Sequence, residues 1–313
     1  MLWSAPTLPA RARLGAVALL AFVAAGLVGA YRYVDNYWVY RGFAPPKDPA
    51  YVHERGTATH FSLTSVALGG RTQPVDVYLP PGYATSPNRR YPVIYLLHGV
   101  PGRPAAFLET VRLGVVEDEL VALHKVRPAI LVMPFGSTGS FTDEEWANGV
   151  RPKSNWETFV ARDLVRAVDA RYRTIAGGGS RALAGLSEGG YGSLNIGLHH
   201  PGEFDVLESW SGYERADPIR SIFGSDRSAL ARYSPNLTLG SVAPKLRSAH
   251  TYIWFYSGTG DHFVKQNTAF AAELRRDRIP YHYFVVHGGH NWGIWRGNAA
   301  RALIAMSRRL RGT

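Results

Sequence analysis

The chain has 313 residues, of which 46% are hydrophobic and 19% charged, a balance that suits one large α/β domain or two small ones and excludes a disordered chain. It contains no cysteine, which excludes disulfides, thiolate catalysis and zinc–thiolate sites. The net charge is +11 without a helix-turn-helix, zinc-finger or RNA-binding signature. Nucleic acid is therefore the weakest explanation of the charge, and a cationic exterior near an acidic surface is the preferred one. The basic residues are scattered along the sequence apart from Arg275-Arg-Asp-Arg278 and Arg308-Arg-Leu-Arg311.

The elements read in chain order as follows. A short basic segment, 1–13, precedes an apolar run from Leu14 to Ala30, flanked by Arg11 and Arg13 before and Arg32 after. Residues 14–34 are expected to be a transmembrane signal anchor or a signal peptide. Val28-Gly-Ala30 fits a cleavage site, while Tyr31, Tyr33, Tyr37 and Trp38 would form the interfacial aromatic belt of an anchor, the preferred reading. Either places the remainder at the cell membrane or secreted, outside the cytoplasm. Residues 35–55, with Pro45, Pro46 and Pro49, read as a linker to a domain over 56–313.

Within that domain, Thr59–Ala67 alternates polar and apolar residues as a half-exposed strand does, and Gly69-Gly70 turns it toward an antiparallel partner, Gln73–Leu79. Pro92–Leu97 and Pro128–Met133 are continuous apolar runs of strand length, with a helix expected between them around Val111 to Lys125. Residues 136–155 read as polar and irregular, and Trp156–Tyr172 as a helix. Arg181-Ala-Leu-Ala184 reads as a strand, followed by a helix over Tyr191–His199. Asp205–Ser211, Thr251–Tyr256 and Tyr281–Val286 are further strands, and residues 213–245 an insertion of loops and short helices. Helices are expected from about Phe263 to Asp277 and from about Ile294 to Leu310. This alternation predicts an α/β fold with a mostly parallel central sheet and helices on both faces. Functional loops then lie at the carboxyl ends of the strands.

The stretch that organises the domain is Gly185-Leu-Ser-Glu-Gly189, a G-x-S-x-G sequence between a strand and a helix. In that context it is a nucleophile elbow, a turn too tight for side chains two residues either side of the serine. An activated serine needs a base within hydrogen-bond reach and an acid that orients the base. In the α/β-hydrolase arrangement the chain order is serine, acid, histidine. His290, in the glycine loop after the strand ending at Val286, is the candidate base, with His287 as its rival. Asp261, after the strand 251–256, is the candidate acid, although an Asp before a helix also serves as an N-cap. Glu208 and Asp217 lie in the same sequence interval and stay open as alternatives. The backbone N–H groups of Val100 and Glu188 are the candidate oxyanion donors. The Glu188 side chain would be a salt-bridge partner or a carboxylate that discourages anionic substrates.

Together with these, Val77-Tyr-Leu-Pro-Pro-Gly-Tyr83, Tyr95-Leu-Leu-His-Gly99, Arg171-Tyr-Arg173, Ser180–Gly190, His200-Pro-Gly-Glu-Phe204 and Gly288-Gly-His-Asn-Trp292 occur in order. From about Phe61 to its end the chain resembles the esterase family that contains esterase D-type enzymes, feruloyl esterase modules and the antigen 85 mycolyltransferases. The resemblance implies an α/β-hydrolase fold and a serine esterase or acyltransferase, with nucleophile Ser187, base His290 and acid Asp261. It implies an ester substrate and no metal or organic cofactor. The antigen 85 branch uses Glu as the acid, and no equally placed Glu occurs here. The residue after the nucleophile is often Met in the family and is Glu188 here. A non-catalytic envelope- or carbohydrate-binding protein on the same fold, a mycolyl-type transferase and a peptidase are the alternatives. Trp146, Trp156, Trp292 and Trp295 are candidates for pocket lining or for core. His199-His200 has no third metal ligand at recognisable spacing and reads as a helix-end pair favoured by the helix dipole.

Overall fold

In the computed structural model the described residues are 9–33, 49–139 and 142–312. They fall into two compact units, Met1–Pro45 and Pro46–Thr313. Tyr37 and Trp38 of the expected aromatic belt, residues 1–8, residues 34–48 and positions 140–141 lie outside the described residues. The first unit contains helix α1 (Ala10–Tyr33). Its Ala10–Tyr31 stretch has a mean hydropathy of 2.2, long and apolar enough to cross a membrane by length and composition; a signal sequence meets the same test.

The second unit is built on one eight-stranded sheet in the order β1-β2-β4-β3-β5-β6-β7-β8. β1 (Thr57–Ser65) and β2 (Arg71–Leu79) form the expected hairpin, in register from Thr57 opposite Leu79 to Ser65 opposite Arg71. β2 also pairs antiparallel with β4 (Ile130–Pro134). The remaining pairings are parallel and join β3 (Val93–Leu97), β4, β5 (Arg181–Leu186), β6 (Val206–Trp210), β7 (Tyr252–Gly258) and β8 (Tyr281–Val286). β3 shows why its sequence is a continuous apolar run. Val93, Tyr95 and Leu97 enter one hydrophobic cluster, and Ile94 and Leu96 the other, on the opposite face.

The helices cover both faces. A π-helical turn, Phe107–Val111, leads into α2 (Leu113–Ala122), so the expected helix at 111–125 begins as a π turn and ends sooner. The stretch read as one helix from Trp156 is interrupted in the same way: a turn at Trp156–Thr158, a π-helical segment at Phe159–Leu164, then α3 (Val165–Arg171). α4 (Glu188–His199) starts directly after Ser187, three residues ahead of the expected start. The 213–245 insertion is helical: α5 (Arg220–Phe223), α6 (Arg227–Arg232) and α7 (Pro235–Ser248). α8 (Val264–Arg276) and α9 (Trp292–Arg309) complete the unit.

Residues 136–155 depart most from expectation. Their described part is irregular, as expected, but it buries Glu144, Glu145, Trp146 and Ala147. Glu144 makes this possible by accepting hydrogen bonds from Arg151, Ser154 and the indole of Trp156. The carboxylate of Glu144 thus meets partners that offset its desolvation, while burial raises the carboxyl of Glu145 well above its ordinary value.

Candidate active site

β5 delivers Ser187 at the carboxyl end of the sheet, where the backbone turns sharply into α4. Ser187 has φ 56° and ψ −123°, a left-handed conformation that costs a non-glycine residue energy and lifts its side chain clear of the sheet. The two flanking glycines are required by space. A Cβ on Gly189 would lie 1.9 Å from the Leu97 carbonyl oxygen, and one on Gly185 would lie 2.1 Å from the Gly189 carbonyl oxygen.

Three of the sequence-predicted side chains come together in a hydrogen-bonded row. Ser187 Oγ lies 2.8 Å from His290 Nε2, and His290 Nδ1 lies 3.0 Å from Asp261 Oδ2. Asp261 is fully buried and His290 about one-fifth exposed. The turn after β7 thus supplies the carboxylate and the glycine loop after β8 supplies the imidazole. Asp261 is not the N-cap of α8, a position held by Phe263; its Oδ1 accepts the Phe263 N–H at 2.9 Å in the preceding turn, while Oδ2 faces His290. Burial pushes the Asp261 carboxyl up. The bonds from His290, Ser211 and the Phe263 N–H outweigh it and hold the group below its ordinary value, ionised at neutral pH.

The rivals are elsewhere. His287 is exposed at the end of β8. Glu208 is buried in β6 and accepts a bond from the Trp210 indole. Asp217 acts electrostatically on Asp143 and Glu145.

The loop after β3 borders Ser187, since a Cβ on Gly99 would sit 2.9 Å from Ser187 Cβ. Val100 follows it at the surface, and Glu188 opens α4, where the first N–H groups of a helix have no intrahelical partner. Among the described residues, neither Val100 nor Glu188 donates its backbone N–H to another protein group. His98 anchors this loop. Its Nε2 accepts the Gly136 N–H at 3.0 Å, its Nδ1 donates to Gly99 O at 2.9 Å, and its own carbonyl accepts the Trp146 indole N–H. Burial lowers His98 to about 4, so the imidazole is neutral and keeps this tautomer.

The Glu188 side chain corrects both sequence readings. It makes no ion pair among the described residues and does not reach the surface. It is buried, and burial next to Asp143 and Glu145 raises it well above the carboxylate range, so it is held protonated. His199 and His200 lie at the end of α4 as expected, and the carboxylate of Glu157 also binds both rings at 2.9 Å. Among the described residues no group of three or more His, Asp or Glu side chains is arranged to hold a metal ion.

Sequence reasoning missed three neighbours, Ser211, Phe263 and His262, and held Trp295 only as a candidate for pocket lining or core. Ser211, in a left-handed turn at φ 59°, donates to Asp261 Oδ2. Phe263 and Trp295 set their rings edge-on to His290 at 5.5 and 5.1 Å, and His262 lies 5.2 Å away. The signal available for Trp295 was its position one turn beyond His290 in the helix that follows. Of the other tryptophans, Trp146 and Trp156 are core and Trp292 packs against Trp295.

Residues 65–309 match the profile of the family described as "Putative esterase". The chain belongs to this family. It is 32% identical over 183 residues to an endo-1,4-beta-xylanase/feruloyl esterase of Xylanibacter ruminicola, covering 54% of this chain and 24% of that protein. It is 38% identical over 138 residues to Esterase Rv1288 of Mycobacterium tuberculosis, covering 44% of this chain and 28% of that protein. The chain thus spans about a quarter of the length of these curated relatives. A solved ferulic acid esterase superposes with a TM-score of 0.72 at 25% identity, over 82% of this chain and 99% of its own. The fold is that of the α/β-hydrolase esterases.

Proposed function

We propose that this family member is a serine esterase that hydrolyses carboxylic esters through an acyl-enzyme. The hydrogen-bonded row Ser187–His290–Asp261 on a left-handed elbow carries the reading. Ser187 Oγ attacks the ester carbonyl as His290 Nε2 takes its proton. Asp261, ionised and buried, stabilises the imidazolium that forms. The oxyanion accepts the free N–H groups of Val100 and Glu188. His290 then protonates the departing alkoxide, and water attacks the acyl-serine by the same route in reverse. A charged carboxylate directly after the nucleophile would oppose the developing oxyanion. The protonated state of Glu188 removes that conflict. The apolar stretch of α1, preceded by Arg11 and Arg13, supports a position outside the cytoplasm, held at or released from a membrane. The names of the relatives bring hydroxycinnamoyl esters into the substrate range to be tested.

The test is turnover of p-nitrophenyl esters from acetate to long acyl chains, and of methyl ferulate, by the full chain beside Ser187→Ala. The variant is expected to lose at least ~10⁴-fold in kcat. A fluorophosphonate is expected to label Ser187 in the wild type only. A folded wild type that neither turns over any ester nor takes the label would overturn the reading.

A further inference from the structure

The fold brings basic residues distant in sequence together with part of the Arg308-Arg-Leu-Arg311 cluster. At the amino ends of the parallel strands, away from Ser187, two hollows adjoin and share Arg308. The first, about 380 Å³, lies between the outer strands β7 and β8 and the second half of α9, and Arg301, Arg308 and Arg309 line it. The second, about 620 Å³, is lined by Arg89, Lys125, Arg127 and Arg308. No carboxylate lines either hollow, and none of these six cations forms an ion pair among the described residues. Two acids inside this end of the sheet, Glu117 and Glu208, are fully buried and held protonated by that burial, so they do not offset the charge.

Three of the arginines are held by aromatic rings instead of carboxylates, Arg89 among them at 5.4 Å from the centre of the Tyr91 ring. The Arg309 guanidinium lies 4.1 Å from the centre of the Tyr252 ring and that of Arg301 lies 5.7 Å from Phe284. A ring engages the face of a guanidinium and leaves its N–H edges available to a second, anionic partner. The floor of the first hollow, with Trp254 and Phe284, is apolar enough to sit against acyl or glycerol carbons.

We propose that this face docks the Pro46–Thr313 unit on an anionic lipid surface, its arginines and Lys125 binding headgroup phosphates. Charge complementarity and the membrane-compatible helix carried by the same chain favour lipid over other polyanions. Because the face lies at the opposite ends of the strands from Ser187, docking leaves the elbow open to solvent. Each Lys or Arg near such a surface strengthens binding roughly fivefold, so removal of three is expected to weaken docking on the order of a hundredfold.

The absence of cysteine allows a clean test on the full chain. Ala305→Cys, on the α9 wall of the first hollow, and separately Val66→Cys, 90% exposed at the β1–β2 turn, are labelled with an environment-sensitive fluorophore. Each protein is reconstituted in nanodiscs of phosphatidylcholine with or without phosphatidylglycerol. The label at 305 is expected to shift to the blue only in the anionic discs. The shift is expected to vanish at about 1 M salt and in the Arg301→Gln/Arg308→Gln/Arg309→Gln variant. The label at 66 is expected to stay unchanged. Near-ultraviolet circular dichroism and melting temperature report that the triple variant is folded. Equal signals in both discs, an undiminished shift in the folded variant, an equal shift at position 66, or a shift produced by RNA but not by anionic lipid would each overturn the proposal.

Discussion

His98 is neutral because it is buried, and that neutrality fixes which of its nitrogens donates. The unfolded side chain titrates at about 6.5 and the folded one at about 4, so between those values the unfolded chain binds the extra proton. Stability contributed by keeping this ring neutral is complete above pH 6.5 and is lost as pH falls toward 4, by on the order of 3 kcal/mol in total. His98→Gln is therefore expected to be less stable than wild type at pH 7, having lost the ring contacts to Phe135 and Trp146. Its deficit should shrink as pH falls. Urea unfolding of both proteins at pH 7 and pH 4.5 checks this, and parallel pH slopes would mean that His98 charges without cost. Ser211 belongs to the same scale. It is one of three donors that keep Asp261 ionised, and Ser211→Ala removes one. Turnover is expected to drop several-fold through kcat, with the acid limb of the kcat profile moved upward in pH because the carboxyl is then easier to protonate. An unchanged profile would make Ser211 a packing residue only.

The elbow shows how backbone space at the level of an element decides what a sequence must contain. At Gly189 the obstacle to a side chain is the Leu97 carbonyl, a backbone atom of a central strand that has nowhere to move. Gly189→Ala is expected to cost about 3 kcal/mol or to prevent folding. Gly297, exposed in α9 with nothing within 4 Å of the place a Cβ would take, is the contrast: Gly297→Ala is expected to stabilise by about 0.5–1 kcal/mol. Urea midpoints of the two variants separate a glycine required by space from one that only weakens its helix. The elbow was legible in the sequence for this reason, and so were β3 and β4, whose burial on both faces forces continuous apolar runs. Ser187, Asp261 and His290 were candidates from chain order and loop position once the strands were placed, with Glu208, Asp217 and His287 still open. Other features left no periodic trace. The π-helical segments keep the apolar spacing of a helix while changing its turn. The burial of Glu144, Glu145 and Glu188 has no local signal, because it depends on groups as distant in sequence as Tyr213, which donates to Glu145 at 2.9 Å. Ser211 meets Asp261 only through the pairing of β6 with β7.

At the scale of the whole chain, charge and core are divided between different parts of the protein. All three hydrophobic clusters, which begin at Phe61, Tyr78 and Ala147, lie within Pro46–Thr313, as do Ser187, His290 and Asp261. Among the described residues, nothing in those clusters draws on a residue before Pro46. A unit that owns its core is expected to unfold as one cooperative transition set by that core. A protein starting at Pro46 is therefore expected to remain soluble without detergent. It should melt within about 3 °C of the full chain and turn over short p-nitrophenyl esters at the full chain's kcat. The full chain, with the apolar stretch of α1, is expected to require detergent or lipid. Calorimetry and turnover of the two proteins side by side decide the point. A melting temperature lowered by more than about 5 °C, or a kcat reduced several-fold, would show that residues 1–45 contribute contacts to the catalytic unit. Agreement of both would leave the amino-terminal helix a role in location alone.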